Sequence, residues 1–314
     1  MSNNRHIVAK HILIKISKMI LWRVIMIVKI ILALVVIVNG IFAITFIKDY
    51  IAHKEEANNE PIKPITLAIT EFIMFFLSTF GISDFAIGTV IYSKFKWTDA
   101  KKLPGTLNAE CVIPVAVMAL AYISSIDVDI TTLIVAIVAQ VIGAYIGPRF
   151  VVKMNVNIIK MFISTGLIIA AALILMGKFG LYPTGGDANG LTGFKLILLG
   201  ILSFAYGALN NVGIGSYALT MATVYAFGLN PGIAFPIMMG ACTFSVPIGS
   251  MQFIKFDSYS RKITLYAAIF GSIGVLFAAF IVKSLDVSML QWIVVVVIIY
   301  SAFTIINDLR KTKK

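Results

Sequence analysis

Asp84-Phe85-Ala86-Ile87-Gly88-Thr89 is followed 127 positions later by Asn211-Val212-Gly213-Ile214-Gly215-Ser216, and Pro104-Gly105 returns at the same offset as Pro231-Gly232. In both places a break interrupts an apolar run. Pro64 to Phe80 stops at Gly81-Ile82-Ser83-Asp84 before a short apolar piece reaches Tyr92; Phe194 to Leu209 stops at Asn210 to Gly215 before Ser216 to Phe227. Ile142-Gly143 against Ile273-Gly274, and Met154-Asn155-Val156 against Leu285-Asp286-Val287, extend the correspondence at an offset of 131. Breaks, prolines and glycines that line up together imply a duplicated unit, each copy opening with a broken or re-entrant helix.

Composition sets the medium. Hydrophobic residues make up 60% of the chain, charged residues 13%, and mean hydropathy is +0.97, with apolar runs of about twenty residues in succession. Backbone amides in hydrocarbon need internal partners, and the weak alternation of a barrel is absent, so the fold expected is an all-α polytopic membrane protein. The 314 residues leave room for about eight to eleven helices and no sizeable soluble domain.

The net charge of +12 would suggest nucleic acid in a soluble protein. Here Lys and Arg sit in short loops and at both termini, which is the pattern of membrane topology, and no nucleic-acid partner is expected. Cys111 and Cys242 lie in apolar spans without a CxxC or Cys/His cluster, and His6, His11 and His53 lie outside the duplicated units. No metal site, cofactor or enzyme signature follows from them.

Residues 1–63 read as a basic helix (Arg5, Lys10, Lys15, Lys18, Arg23, Lys29) on an anionic leaflet, then an uncleaved transmembrane anchor from Ile30 to Ile47, then a polar stretch closing at Pro61 and Pro64. Residues 64–177 form the first repeat, 178–193 a Gly-rich loop, 194–307 the second repeat and 308–314 a basic tail. After the first break come spans near Gly105 to Ser124, Thr131 to Val152 and Ile158 to Met176; after the second, Gly232 to Ile254, Ile263 to Val282 and Ser288 to Ile306.

If both broken segments are re-entrant, each repeat crosses the membrane three times and the two are inverted. Lys94 to Lys102, Lys153, Lys255 to Lys262 and Arg310 to Lys314 then share the cytoplasmic side, with the basic N-terminus outside. If both cross once, the last two groups fall outside instead. Length favours re-entry at the second break, where about 34 helical residues would span some 50 Å, well over one crossing.

Helix breaks leave free backbone N–H groups and a partial positive charge, which suit an anion. Gly88, Gly213 and Gly215 permit close approach, while Ser83, Thr89, Asn210, Asn211 and Ser216 offer neutral hydrogen bonds. Asp84 is a charge inside an apolar segment whose counterpart, Asn211, is neutral. As a protonatable carboxyl it is a candidate for proton coupling, or a plain helix cap. In the next span Thr106 and Glu110 share a helical face, with Asn108 turned away, and Glu110 is the second candidate coupling carboxyl. Thr243 and Ser245, beside Pro247, are the polar groups of the corresponding second-repeat span. Glu71 has Leu198 as its counterpart, which argues less for a role; Gln140 reads chiefly as a packing residue.

Together with the Gly-rich break, Leu103-Pro104-Gly105-Thr106-Leu107-Asn108-Ala109-Glu110 and Ile142-Gly143-Ala144-Tyr145-Ile146-Gly147 resemble the sulfite exporter TauE/SafE family over roughly residues 64–307, with the N-terminal helix as an addition. The resemblance implies a plasma-membrane permease for sulfite, sulfonates or related anions. Ser83-Asp84-Phe85-Ala86 departs from that family's usual glycine cluster, so either Asp84 is neutral when the anion binds or the site leans on the second repeat. The function expected is transport of a small anion by alternating access. The alternatives are a permease for another metabolite and an intramembrane enzyme using Asp84 and Glu110 as an acid pair, which requires the two carboxyls to meet.

Overall fold

A computed structural model describes residues 2–80, 82–122, 128–181, 186–230 and 233–280, with isolated helical positions at 296, 299, 302, 303, 306 and 310. Gly81 of the first break, Ile123-Ser124, Pro231-Gly232, Leu285-Asp286-Val287, most of the span expected from Ser288 to Ile306 and Lys311 to Lys314 lie outside the described residues. The described chain is all-helical, and seven of its helices are long and apolar enough to cross a membrane.

The helices are α1 Ser2–Ala52, α2 Lys54–Asn59, α3 Pro64–Ser78, α4 Asp84–Lys94, α5 Leu103–Tyr122, α6 Ile130–Val151, α7 Val156–Lys178, α8 Gly193–Asn210, α9 Ser216–Ala226 and α10 Ala234–Lys255. The last, α11 Arg261–Phe280, contains a π-helical turn at Ala267–Gly271. Local chemistry sets their starts: Pro64 opens α3, while Ser83, Asp129, Asn155 and Ser260 accept backbone N–H groups at the starts of α4, α6, α7 and α11.

Two expectations change. The basic helix and the anchor are one continuous helix, α1, and its 51 residues make it about 76 Å long, far beyond one bilayer. The polar stretch from Lys48 to Lys63 is itself largely helical, covered by the end of α1 and by α2. Charge and low hydropathy there reflect an exit from the bilayer, while Glu55 and Glu56 in the first turn of α2 still favour helix.

Contacts between loop ends fix the path of the chain. Glu60, just before α3, bonds Ser260 Oγ and the backbone N–H groups of Arg261 and Lys262, Ser258 Oγ donates to the carbonyl of Lys101 in the α4–α5 connection, and Ser78–Asp84 and Tyr92–Glu71 bonds pair α3 with α4 in antiparallel order. The start of α3 and the end of α4 therefore lie at one end of the bundle, and α3–α4 is a hairpin that turns back. At the opposite end Lys195 Nζ, in α8, donates to Phe227 O after α9, at 3.1 Å, so α8–α9 is a second hairpin.

Between the hairpins α5 and α10 form the centre, with 83% and 78% of their apolar stretches buried. They run antiparallel: Gly105, at the start of α5, packs on Phe253, near the end of α10. The flanking helices pack reciprocally, α6 against α8 and α11 against α3. Each of these contacts brings a glycine onto backbone. A Cβ at Gly143 would sit 2.0 Å from Phe204 O, one at Gly207 2.1 Å from Gln140 O, and one at Gly274 2.3 Å from Phe72 O. Small residues at such points let membrane helices approach closely. The outward faces of α3, α6 and α8 present Ile65, Ile69, Ile134, Val138, Phe194, Ile197 and Ile201, all exposed and apolar as lipid contact requires.

Candidate anion site between two helix tips

The hairpin tips meet inside the bundle. A Cβ at Gly215, the residue before α9, would lie 3.6 Å from Ser83 Oγ and 3.7 Å from the Phe85 side chain, at the start of α4. The second tip is shaped by Gly213, whose φ of +96° is a left-handed conformation that glycine adopts without strain.

Around the start of α9 runs a chain of neutral polar groups. Asn108 Nδ2 donates to Asn210 O at 3.0 Å, Asn210 Nδ2 donates back to Asn108 Oδ1 at 2.9 Å, and Asn210 Oδ1 accepts Ser216 N–H at 3.2 Å. Ser216 Oγ lies 3.1 Å from Cys242 Sγ, and Gln140 Nε2 reaches Ser245 Oγ at 3.0 Å and both Ser216 Oγ and Cys242 Sγ at 3.4 Å. These residues come from α5, α6, α8, α9 and α10, and all are buried. The donors of Gln140, Ser216, Ser245 and Cys242, an amide, two hydroxyls and a thiol, stand beside a helix start whose cap, Gly215, has no side chain. That set can coordinate a small anion without a fixed positive charge.

The first tip is different because Asp84 fills it. The carboxylate accepts from Ser78 Oγ at 3.4 Å and sits in the first turn of α4, where Ser83 Oγ accepts the Ala86 N–H. Behind it lies a second acidic group. Tyr92 OH donates to Glu71 Oε1 at 2.8 Å, and Glu110, from α5, points at Gly88, whose Cβ position is 3.1 Å from both Glu110 Oε1 and Tyr92 Cε2. Glu71 and Glu110 are fully buried; both oxygens of Glu110, Glu71 Oε2 and Thr89 Oγ1 have no hydrogen-bond partner among the described residues.

Several expected site residues stand apart from the polar chain. Asn211 donates to Gly207 O and Ala144 O, so it fastens the α8 break onto α6. Thr106 donates to Lys102 O and accepts Ser260 N–H at the bundle end. Thr243 donates within its own helix to Met239 O, and its carbonyl meets Asn39 of α1. Gly213 packs on Ile163 and Leu107. A hydroxyl or amide in a helix is readily satisfied by a carbonyl one turn back, and spacing along the chain does not show this. Conversely Gln140 joins the chain, and Glu71 and Tyr92 join the acidic group. A polar residue in the middle of an apolar span was the signal for Gln140 and Glu71, whereas nothing in the sequence marked Tyr92. The opposition of Asn108 and Glu110 across α5 is realised: one faces the α8–α9 tip and the other the α3–α4 hairpin.

The acid pair required by an intramembrane enzyme is not formed, since Glu110 makes no hydrogen bond to Asp84 or to any other described group. Among the described residues no group of three or more His, Cys, Asp or Glu side chains could hold a metal ion.

Residues 12–174 match the family model described as Sulfite exporter TauE/SafE. The match begins inside α1, so the N-terminal helix falls within the family pattern in part and is not wholly an addition; it stops before the second hairpin. No curated protein and no solved structure matches.

Proposed function

The chain belongs to the sulfite exporter TauE/SafE family, and from that premise we propose that this multi-pass membrane protein is a permease that moves sulfite or an organosulfonate across the plasma membrane. The observation that carries the proposal is the open tip of α9, where Ser216, Cys242, Gln140 and Ser245 place neutral donors around a helix start. Asp84 occupies the start of α4 at the first tip, so the anion rests on the second hairpin. Of the two options left by the departure from the family's glycine cluster, this is the one we adopt.

Alternating access between inverted repeats belongs to the same proposal, supported by the antiparallel α5 and α10 and by the two hairpins that turn back at opposite ends. Lys94, Lys101, Lys102, Lys153, Lys255 and Lys262 gather at the Glu60 end, which we assign to the cytoplasm by the positive-inside rule. Coupling to protons is part of the proposal, with Asp84 and Glu110 as candidate carriers. The basic run from Arg5 to Lys29 is assigned to anionic lipid headgroups.

The test is flux into proteoliposomes holding the purified full chain. Sulfite is expected to cross faster than sulfate or chloride. Gln140→Leu removes a donor worth about 1 kcal/mol, raising the KM for sulfite about five-fold or more. No sulfite flux above protein-free liposomes, or an unchanged KM in the variant, would count against the site.

A further inference from the structure

We propose that Glu71, Tyr92 and Glu110 form a proton-binding site, separate from the anion site, at which a proton is taken up and released during the transport cycle. The proposal rests on the permease reading and moves the carrier role away from Asp84.

Three helices build the site. Glu71 comes from α3, Tyr92 from α4 and Glu110 from α5, and all three side chains are fully enclosed. Tyr92 commits its single hydroxyl proton to Glu71, so it has only a lone pair to offer Glu110. Glu110 is held against the backbone of α4 because residue 88 is glycine: a Cβ there would stand 3.1 Å from its Oε1 and 2.8 Å from Leu107. The enclosed Thr89 hydroxyl, on the same helix, also has no partner among the described residues.

The electrostatic balance identifies the occupant. The charged or titratable groups beside the two carboxyls are each other, Tyr92 and Asp84, from α3, α4 and α5; among the described residues no Lys or Arg bonds to either. Two carboxylates enclosed together without a cation repel each other and lose hydration worth several kcal/mol each. A proton on Glu110 removes one of the charges and converts an unpartnered acceptor into a donor facing Tyr92 Oη. The relay Glu110 to Tyr92 to Glu71 then needs one added proton, and the bonds made and broken are all O–H. Asp84 stands in a different setting, bonded by Ser78 Oγ at 3.4 Å and placed in the first turn of α4, where the helix dipole favours a negative charge.

Two measurements on the full chain separate this site from the anion site. In detergent, an infrared difference spectrum after a pH step should show the carboxyl C=O band of an enclosed acid; it should vanish in Glu110→Gln and shift in Tyr92→Phe, with no substrate present. In proteoliposomes, Glu110→Gln and Glu71→Gln should retain sulfite-for-sulfite exchange, which also certifies folding, and lose accumulation driven by a pH gradient. A band unaffected by Glu110→Gln, or gradient-driven accumulation that survives in both variants, overturns the proposal. So does accumulation in the wild type driven by a sodium gradient alone, which would make the occupant a metal cation. If the wild type exchanges no sulfite, the substrate assignment fails while the infrared result still decides the proton site.

Discussion

Gly207 and Gly143 show how much one atom can matter in this fold. Each lies where the backbone of the facing helix leaves no room for a Cβ, at 2.1 and 2.0 Å respectively. Forcing a side chain into such a contact costs about 1–3 kcal/mol through overpacking. Gly207→Val is therefore expected to lower the thermal midpoint of the detergent-purified protein clearly. Gly40→Ala, in α1 with nothing within 4 Å of its Cβ position, should leave the midpoint unchanged or raised, since alanine is the better helix former. Equal midpoints for the two variants would contradict the close α6–α8 contact. Gly143 was visible in the sequence through its correspondence with Gly274, and both turn out to be points of backbone contact. Asn211 was visible for the same reason, yet it serves to fasten a helix end, because an amide can satisfy itself on carbonyls that the sequence does not position.

At the scale of elements, the N-terminal helices are fixed to the transport bundle by a compact charged joint. Arg261 has a side chain only 3% exposed; it pairs with Asp49 of α1 at 2.7 Å and with Asp257 at 2.8 Å, while Tyr259 OH donates to Asp49 at 2.5 Å. Glu60 caps α11 from the α2–α3 connection. Burial raises the Glu60 carboxyl above its ordinary 4.5, opposed by its bonds to Ser260, Lys262 and Arg261. An acid raised on folding binds its proton more tightly in the folded state, so the stability it contributes is full at low pH and lost as pH rises through the folded value. Wild type should thus lose stability relative to Glu60→Gln as pH climbs from about 4.5 towards neutral; a difference in thermal midpoint that is flat with pH would contradict the assignment. None of this joint was legible in the sequence, because its members lie some 200 positions apart. The helices themselves were legible: the spans read from apolar runs fall within a few residues of α5 through α10, since length and hydropathy decide them. The run of α1 through the basic segment was missed, because helix continuity carries no compositional mark.

For the whole molecule, the two hairpins that turn back at opposite ends set the topology. Cysteines introduced at the exposed Lys94, Lys153 and Lys255 are expected to react with an impermeant thiol reagent only from the cytoplasmic face, and one at Lys195 only from outside. Ready labelling of Lys255→Cys in intact cells would reverse the orientation; labelling of Lys94→Cys and Lys255→Cys from different faces would remove the first hairpin. The duplicated break of the sequence is in the structure a meeting of two unlike tips, one closed by Asp84 and the other open at Ser216. Their contact is the most direct object of test. Ser83→Cys with Gly215→Cys, in a chain carrying Cys111→Ser and Cys242→Ser, should form a disulfide on oxidation, since a Cβ at 215 lies 3.6 Å from the residue 83 side-chain oxygen. Sulfite flux in proteoliposomes should stop when that bond forms and return on reduction. Undiminished flux through the cross-linked protein would contradict a pathway between the tips.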